Sequence, residues 1–280
     1  MKVRNHKLVG GDGTPLPFQR TPNRSGKLDG GAPRFVVIHY TAGASAQSSV
    51  SWLCNPDAKA SAHLVIGRDG AVTQLGGFDE KLWHAGASSW KGLNGLNGYS
   101  VGIELANWGL LKGRPGAWLT PTGRPVPDEQ VLVAPHRRAP DEIRGWEVYP
   151  EAQLDACEAA VRAICAAYGL GPEAVIGHDD ISWPRKTDPG PAFPMTRLRD
   201  RIEGRSTDEP APPLRFAVSA DSGLNLRSGP GLEHGAIKLL PKGAVVAPVE
   251  TAGTWWLVSE VVGGVEDTTG WVHSRWLEPA

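Results

Sequence analysis

Apolar residues fall along this chain in several distinct patterns, and each predicts a different element. Two short runs, Arg34 to Tyr40 (RFVVIHY) and Val101 to Ala106 (VGIELA), are nearly continuous in β-branched and aliphatic residues. That composition predicts buried strands. The first ends beside His39, and the second carries one acidic residue, Glu104, among apolar neighbours. Helical spacing appears from Ser45 to Cys54, where Val50, Leu53 and Cys54 share a face and Asn55-Pro56 stops the helix. It is clearest from Glu151 to Tyr168, where Leu154, Cys157, Val161, Ile164, Cys165 and Tyr168 make one stripe. Pro150 suits the first turn of this helix and Gly169 its end, so it is expected to cover one face of a sheet. Between the first two elements and the second strand, Ala62 to Gly67 and Ala71 to Leu75 flank Arg68-Asp69-Gly70, a hairpin turn whose Asp-Gly suits positive φ. A last helix is expected from about Met195 to Ile202.

Two stretches break these patterns. Asn107 to Tyr149 is dense in Pro, Gly and Arg and longer than an ordinary connection, which predicts a functional excursion or a separately ordered hairpin. Gly204 to Pro213 (GRSTDEPAPP) has the composition of an extended linker. Beyond it the chain changes to short strands with Gly/Pro turns, which predicts about five strands in a compact barrel. The expected division is therefore a first domain over 1–203, a linker over 204–213 and a small all-β domain over 214–280.

With 280 residues and a formal charge of -1, the chain can bury one sizeable core and a small extra domain, and it presents no electrostatic footprint for nucleic acid or an anionic membrane. Neither partner is expected. Cys54, Cys157 and Cys165 have no metal-type spacing, and the last two lie too far apart on one helix to bridge. The polar N-terminus has no apolar signal segment, so synthesis in the cytoplasm is expected, with any action on the cell wall following release or export by another system. Nothing in the sequence signals an oligomeric state.

Candidate chemistry concentrates in Gly177 to Pro194, GHDDISWPRKTDPGPAFP, which brings His178, Lys186 and Asp188 together in a stretch expected to be a rigid loop rather than a helix. Imidazole nitrogen and carboxylate oxygen are ordinary zinc ligands, and a nearby ammonium can stabilise an oxyanion. The alternative is a structural loop with a solvated salt bridge.

Five ordered motifs carry a closer likeness: VVIHYTAG around His39, SAHLVIGRDG around His63, WHAG around His84, SVGIELAN around Glu104, and the run around His178. Over roughly Arg34 to Ile202 they resemble the type 2 N-acetylmuramoyl-L-alanine amidase family. That resemblance implies an α/β fold, a mixed central sheet flanked by helices. It also implies one zinc ion on His39, His178 and Asp188, Glu104 as the catalytic proton carrier and Lys186 as the oxyanion partner. Ala62 and Asp188 stand where some relatives have tyrosine and cysteine, which points to the glutamate-dependent branch. His63, His84, Trp83 and Asn107 are candidates for contacting substrate, with packing or hydrogen bonding as the other reading of the two histidines. The implied reaction hydrolyses the amide between the lactyl group of N-acetylmuramic acid and L-alanine, in peptidoglycan or in muropeptides, as a phage-type lysin or a recycling enzyme. A non-catalytic peptidoglycan binder of the same fold is a third reading. From Leu214 to Leu277, LNLRSGPG, the PKG turn at Pro241 and the GWV…WL ending resemble bacterial SH3-like domains, which implies binding to the cell wall.

Overall fold

The apolar run at Phe35–Tyr40 forms strand β1 of a five-stranded sheet. Its partners are β2 (Leu64–Ile66), β3 (Val72–Gln74), β4 (Ser100–Leu105) and β5 (Val175–Gly177), in the spatial order β5-β1-β4-β2-β3. All pairs are parallel except β2 with β3, the expected hairpin. This is the mixed sheet that the resemblance implies. The computed structural model describes residues 1–204 and 215–280, and for residue 279 the backbone alone. The described residues group into two compact units, Met1–Leu110 with Glu147–Asp208, and Leu111–Trp146 with Glu209–Ala280.

Alternation along the strands of the first unit sends Val36, Ile38, Val101 and Ile103 to one face, where helix α2 (Glu151–Tyr168) covers them with Cys157, Val161 and Ile164. Fully burying such side chains contributes roughly 1.5–3 kcal/mol each. The helix ends as its sequence predicts: Gly169 adopts φ 64°, and its N–H reaches the carbonyl of Cys165. Gln153 on α2 is also buried, and its amide donates to the carbonyls of Ile66 and Ala106 just where the strands run out. On the other face, Phe35, Val37 and Ile176 pack with Ala85, Leu96 and Ile181. Helix α1 (Ala46–Leu53), capped by the Ser45 hydroxyl, lays Val50 and Leu53 over Ala62, Val65 and Leu75. No helix among the described residues is long and apolar enough to cross a membrane.

Two expectations need correction. The run after Gly177 is not loop throughout, because His178–Ser182 forms a short helix, α3, before the prolines begin at Pro184. The side chain of Asp180 accepts from the Gly177 N–H, a start signal that counting glycine and proline over the whole run conceals. Helix α4 follows at Met195–Ile202, as expected.

The second unit differs from the expected barrel in strand number. Its main sheet has seven strands rather than about five, in the order Ala236–Leu240, Leu224–Arg227, Val265–His273, Trp255–Val262, Val245–Ala252, Phe216–Val218 and Leu277–Pro279. Leu111–Trp146 groups with this sheet in the second compact unit. Within the excursion, Val131–His136 pairs with Ala139–Glu147, and Ile143 packs on the cluster of Phe216, Leu226, Val246, Trp256 and Val258. All but the first residue of the expected linker, 204–213, lies outside the described residues.

Candidate metal centre

Parallel pairing puts the chemistry at the carboxyl ends of the strands, where open α/β sheets gather ligands. His39 on β1 is the direct register partner of Glu104 on β4, so both side chains leave the same face. Gly177 on β5 pairs with Ile38, which delivers His178 beside His39 at the strand end. A Cβ on Gly177 would lie 2.8 Å from Pro189 Cδ, so glycine lets the returning chain close in. The Asp179 N–H then donates to the carbonyl of Asp188 at 2.8 Å and holds that carboxylate against the two rings.

Three atoms result at one point. His39 Nδ1 and His178 Nδ1 are 2.9 Å apart, and Asp188 Oδ2 lies 3.0 and 2.9 Å from them. All three residues are buried, and they form the group able to hold a metal ion among the described residues. Burial, with His178 adjacent, holds the His39 imidazole down at about 4, so it is neutral near pH 7. Burial pushes the Asp188 carboxyl up, but the His178 and His39 rings beside its Oδ2 outweigh it and the net shift is downward. His178 Nε2 lies 3.1 Å from the carbonyl of Ala85, which can only accept, so that nitrogen carries the proton and Nδ1 presents its lone pair. Two imidazole nitrogens and one carboxylate oxygen are a donor set suited to zinc.

Beside the trio opens a cleft of about 550 Å³, lined by Glu104, Lys186, Asp188, Tyr40, Trp52 and Thr187 among others. Burial and the Asp188 carboxylate push Glu104 up to about 8, against a smaller downward pull from Lys186. Its Oε2 has no hydrogen-bond partner among the described residues. Such a carboxyl stays protonated in the folded, metal-free chain between pH 4.5 and 8, where the unfolded chain has already released its proton. Stability is therefore full below about pH 4.5 and is lost as pH rises through 8. Glu104→Gln is expected to stabilise the metal-free chain by on the order of 5 kcal/mol at pH 9 and by nothing at pH 4. Urea denaturation of both proteins at the two pH values checks this, and an equal difference at both would contradict it.

Four residues proposed to touch substrate are placed differently. His63 is fully buried, with Nε2 on the carbonyl of Glu80 and Nδ1 accepting from the Gly102 N–H, which leaves no ring nitrogen for a ligand. Asn107 is also fully buried; its amide donates to the carbonyls of Glu147 and Val148, and its oxygen accepts from Gly109. His84 is buried behind the trio, against His39. Trp83 donates its indole N–H to Ser25 and does not line the cleft. The aromatic rings on the cleft wall are those of Tyr40 and of Trp52, which is exposed on α1 and carries no role in the sequence-based expectations. The signal for Trp52 was its position off the apolar face formed by Val50 and Leu53.

The fold is a mixed α/β sheet flanked by helices that gathers a His/His/Asp trio and a buried carboxyl at the ends of its parallel strands. A sequence model of the N-acetylmuramoyl-L-alanine amidase family matches residues 29–191, more than half of the chain, and the chain belongs to that family. A bacterial SH3 domain matches residues 222–278. Similar proteins include the 1,6-anhydro-N-acetylmuramyl-L-alanine amidase AmpD of Salmonella typhimurium (strain LT2), 27% identical over 64% of this chain and 86% of that protein. The N-acetylmuramoyl-L-alanine amidase AmiD of Escherichia coli (strain K12) is 31% identical over 62% of this chain and 55% of its own length. Among solved structures, a selenomethionine AmpD derivative aligns with a TM-score of 0.48 at 24% identity, covering 71% of this chain and 98% of that one. AmiD with its substrate, anhydro-N-acetylmuramic acid-L-Ala-D-gamma-Glu-L-Lys, aligns at 0.46 and 30% identity, covering 63% and 60%.

Proposed function

We propose that the chain is a zinc-dependent amidase that hydrolyses the bond between the lactyl carbonyl of N-acetylmuramic acid and L-alanine of the stem peptide. The observation that carries this reading is the convergence of His39 Nδ1, His178 Nδ1 and Asp188 Oδ2 beside a cleft that also holds Glu104. When bound, zinc supplies Lewis acidity, polarising an amide carbonyl and making water a nucleophile near pH ~7. His39, His178 and Asp188 hold the ion. Glu104 takes a proton from the attacking water as the C–O bond forms and returns it to the amine nitrogen as the C–N bond breaks. Its raised proton affinity suits both halves of that task, and a dication held by the trio would lower it toward neutrality. Lys186, on the same cleft wall, donates to the carbonyl oxygen as it gains negative charge, an effect on the order of 3 kcal/mol. Incubation of a muramoyl peptide in 18O-labelled water should place one label in the lactyl carboxylate, and a chelator should abolish that labelling. Cleavage elsewhere, or labelling indifferent to the chelator, would overturn the reading.

The bacterial SH3 domain favours polymeric peptidoglycan as substrate, in the manner of a phage or prophage lysin, because a wall-binding module raises local substrate concentration. A groove of about 710 Å³ in the second unit, lined by Asn225, Arg227, Trp255, His273, Arg275 and Trp276, is the surface suited to that role. Trp276→Ala is expected to slow digestion of intact sacculi about tenfold and to leave the rate on soluble muropeptides unchanged. Turbidity clearing and a soluble-substrate assay check the two rates, and equal loss on both would contradict the assignment. The names of the AmpD relatives favour a second reading, recycling of anhydro-muropeptides, under which the soluble substrate is the faster one.

A further inference from the structure

His84 has no access to the cleft and no part in binding substrate, yet it is buried in the one direction from which His39 can be steered. Its Nδ1 lies 3.1 Å from His39 Nε2, the ring nitrogen that faces away from the metal trio. Its own Nε2 lies 3.3 Å from both the carbonyl oxygen and the hydroxyl of Ser100. That hydroxyl donates its hydrogen to the carbonyl of Leu96 at 2.6 Å, so both Ser100 oxygens are acceptors toward His84. The proton positions follow in order. His84 Nε2 must carry a hydrogen, which leaves His84 Nδ1 bare in the neutral ring. A bare Nδ1 needs a donor, so His39 carries its proton on Nε2 and presents an unprotonated Nδ1 to Asp188 and His178.

The rest of the pocket keeps the His84 ring in that place. Backbone N–H of His84 and of Ala85 both donate to the side chain of Asn97, at 3.0 and 2.7 Å. His63 meets the ring edge to face with centroids 5.7 Å apart, and His84 meets His39 likewise at 5.2 Å. Directly beneath lies Gly102 of β4, where an added Cβ would stand 2.4 Å from His84 Cγ. Gly102 therefore reserves the space that the ring fills in the middle of a buried strand, where glycine otherwise costs stability.

We propose that His84 is a positioning residue for the metal centre: with Ser100 and Gly102 it fixes the tautomer and orientation of His39 so that Nδ1 faces the ion. This rests on the metal reading above. Partners of this sort typically contribute 10–100-fold to metal affinity. The test is a zinc-affinity measurement on the full chain, by competition with a chromophoric chelator. His84→Leu is expected to weaken zinc binding about 10–100-fold, and Gly102→Ala to weaken it in the same direction by displacing the ring. His84→Asn, whose side-chain oxygen can accept from His39 Nε2 as Nδ1 does, should restore most of the loss. Wild-type affinity in His84→Leu, or loss in His84→Asn as deep as in His84→Leu, would overturn the proposal. Nitrogen-15 spectra of the histidine rings in the unaltered protein decide the same point even if the variants fold poorly. Protonated Nε2 with bare or metal-bound Nδ1 on His39 supports it, and the opposite tautomer refutes it. A wild-type chain that binds no zinc would sink the metal reading instead, while the ring spectra would still judge the role of His84.

Discussion

Asp188→Ala is expected to strip the protein of zinc and to lower kcat/KM by more than about 10³-fold. Asp188 supplies the only carboxylate oxygen of the trio and its two partners offer ring nitrogens, so its removal takes away the negative charge that would hold a dication in a buried place. The loss should also resist compensation, because the Asp188 backbone carbonyl binds the Asp179 N–H and keeps the loop in place even without the side chain. The variant should therefore fold, with two imidazoles left pointing at a site that no longer retains metal. Metal analysis after dialysis, together with turnover of a muramoyl peptide, checks both halves. Stoichiometric zinc or wild-type turnover would contradict the assignment.

Glu104→Gln should separate catalysis from metal binding. The side chain stands in register with His39 on the neighbouring strand but contributes no atom to the trio, so zinc content is expected to be unchanged. Turnover should fall by on the order of 10²–10⁴-fold, since the amide cannot accept a proton from water or hand one to the leaving amine. The same substitution that removes activity should stabilise the metal-free chain at alkaline pH, because the isolated carboxyl, with Oε2 unpartnered, is costly to ionise in its place. A variant that keeps zinc and full turnover would remove Glu104 from the mechanism.

Much of the frame was legible in sequence because burial on both faces leaves a plain mark. Phe35 to Ile38 is apolar without alternation, and Val101 to Leu105 is apolar but for Gly102 and Glu104, since helices and loops cover each side of their sheet. The stripe on α2 was equally plain. What the residues alone could not supply was proximity: that His39 and Glu104 stand opposite one another depends on β1 and β4 pairing in parallel at zero offset, which is a property of strand order. The resemblance carried that step. It left open whether His63 contacts substrate or packs, and the hydrogen-bonding atoms of His63 and Asn107 face the interior. The grouping of Leu111–Trp146 with the second unit left no local trace, because Ile143 meets Phe216 and Trp256 only in the folded chain.

Digestion of purified peptidoglycan, with the products resolved by mass spectrometry, tests the central claim most directly. The expected products are free stem peptides that begin with L-alanine, and glycan strands whose muramic acids carry unsubstituted lactyl carboxylates. New reducing sugar ends with stem peptides still attached would contradict it.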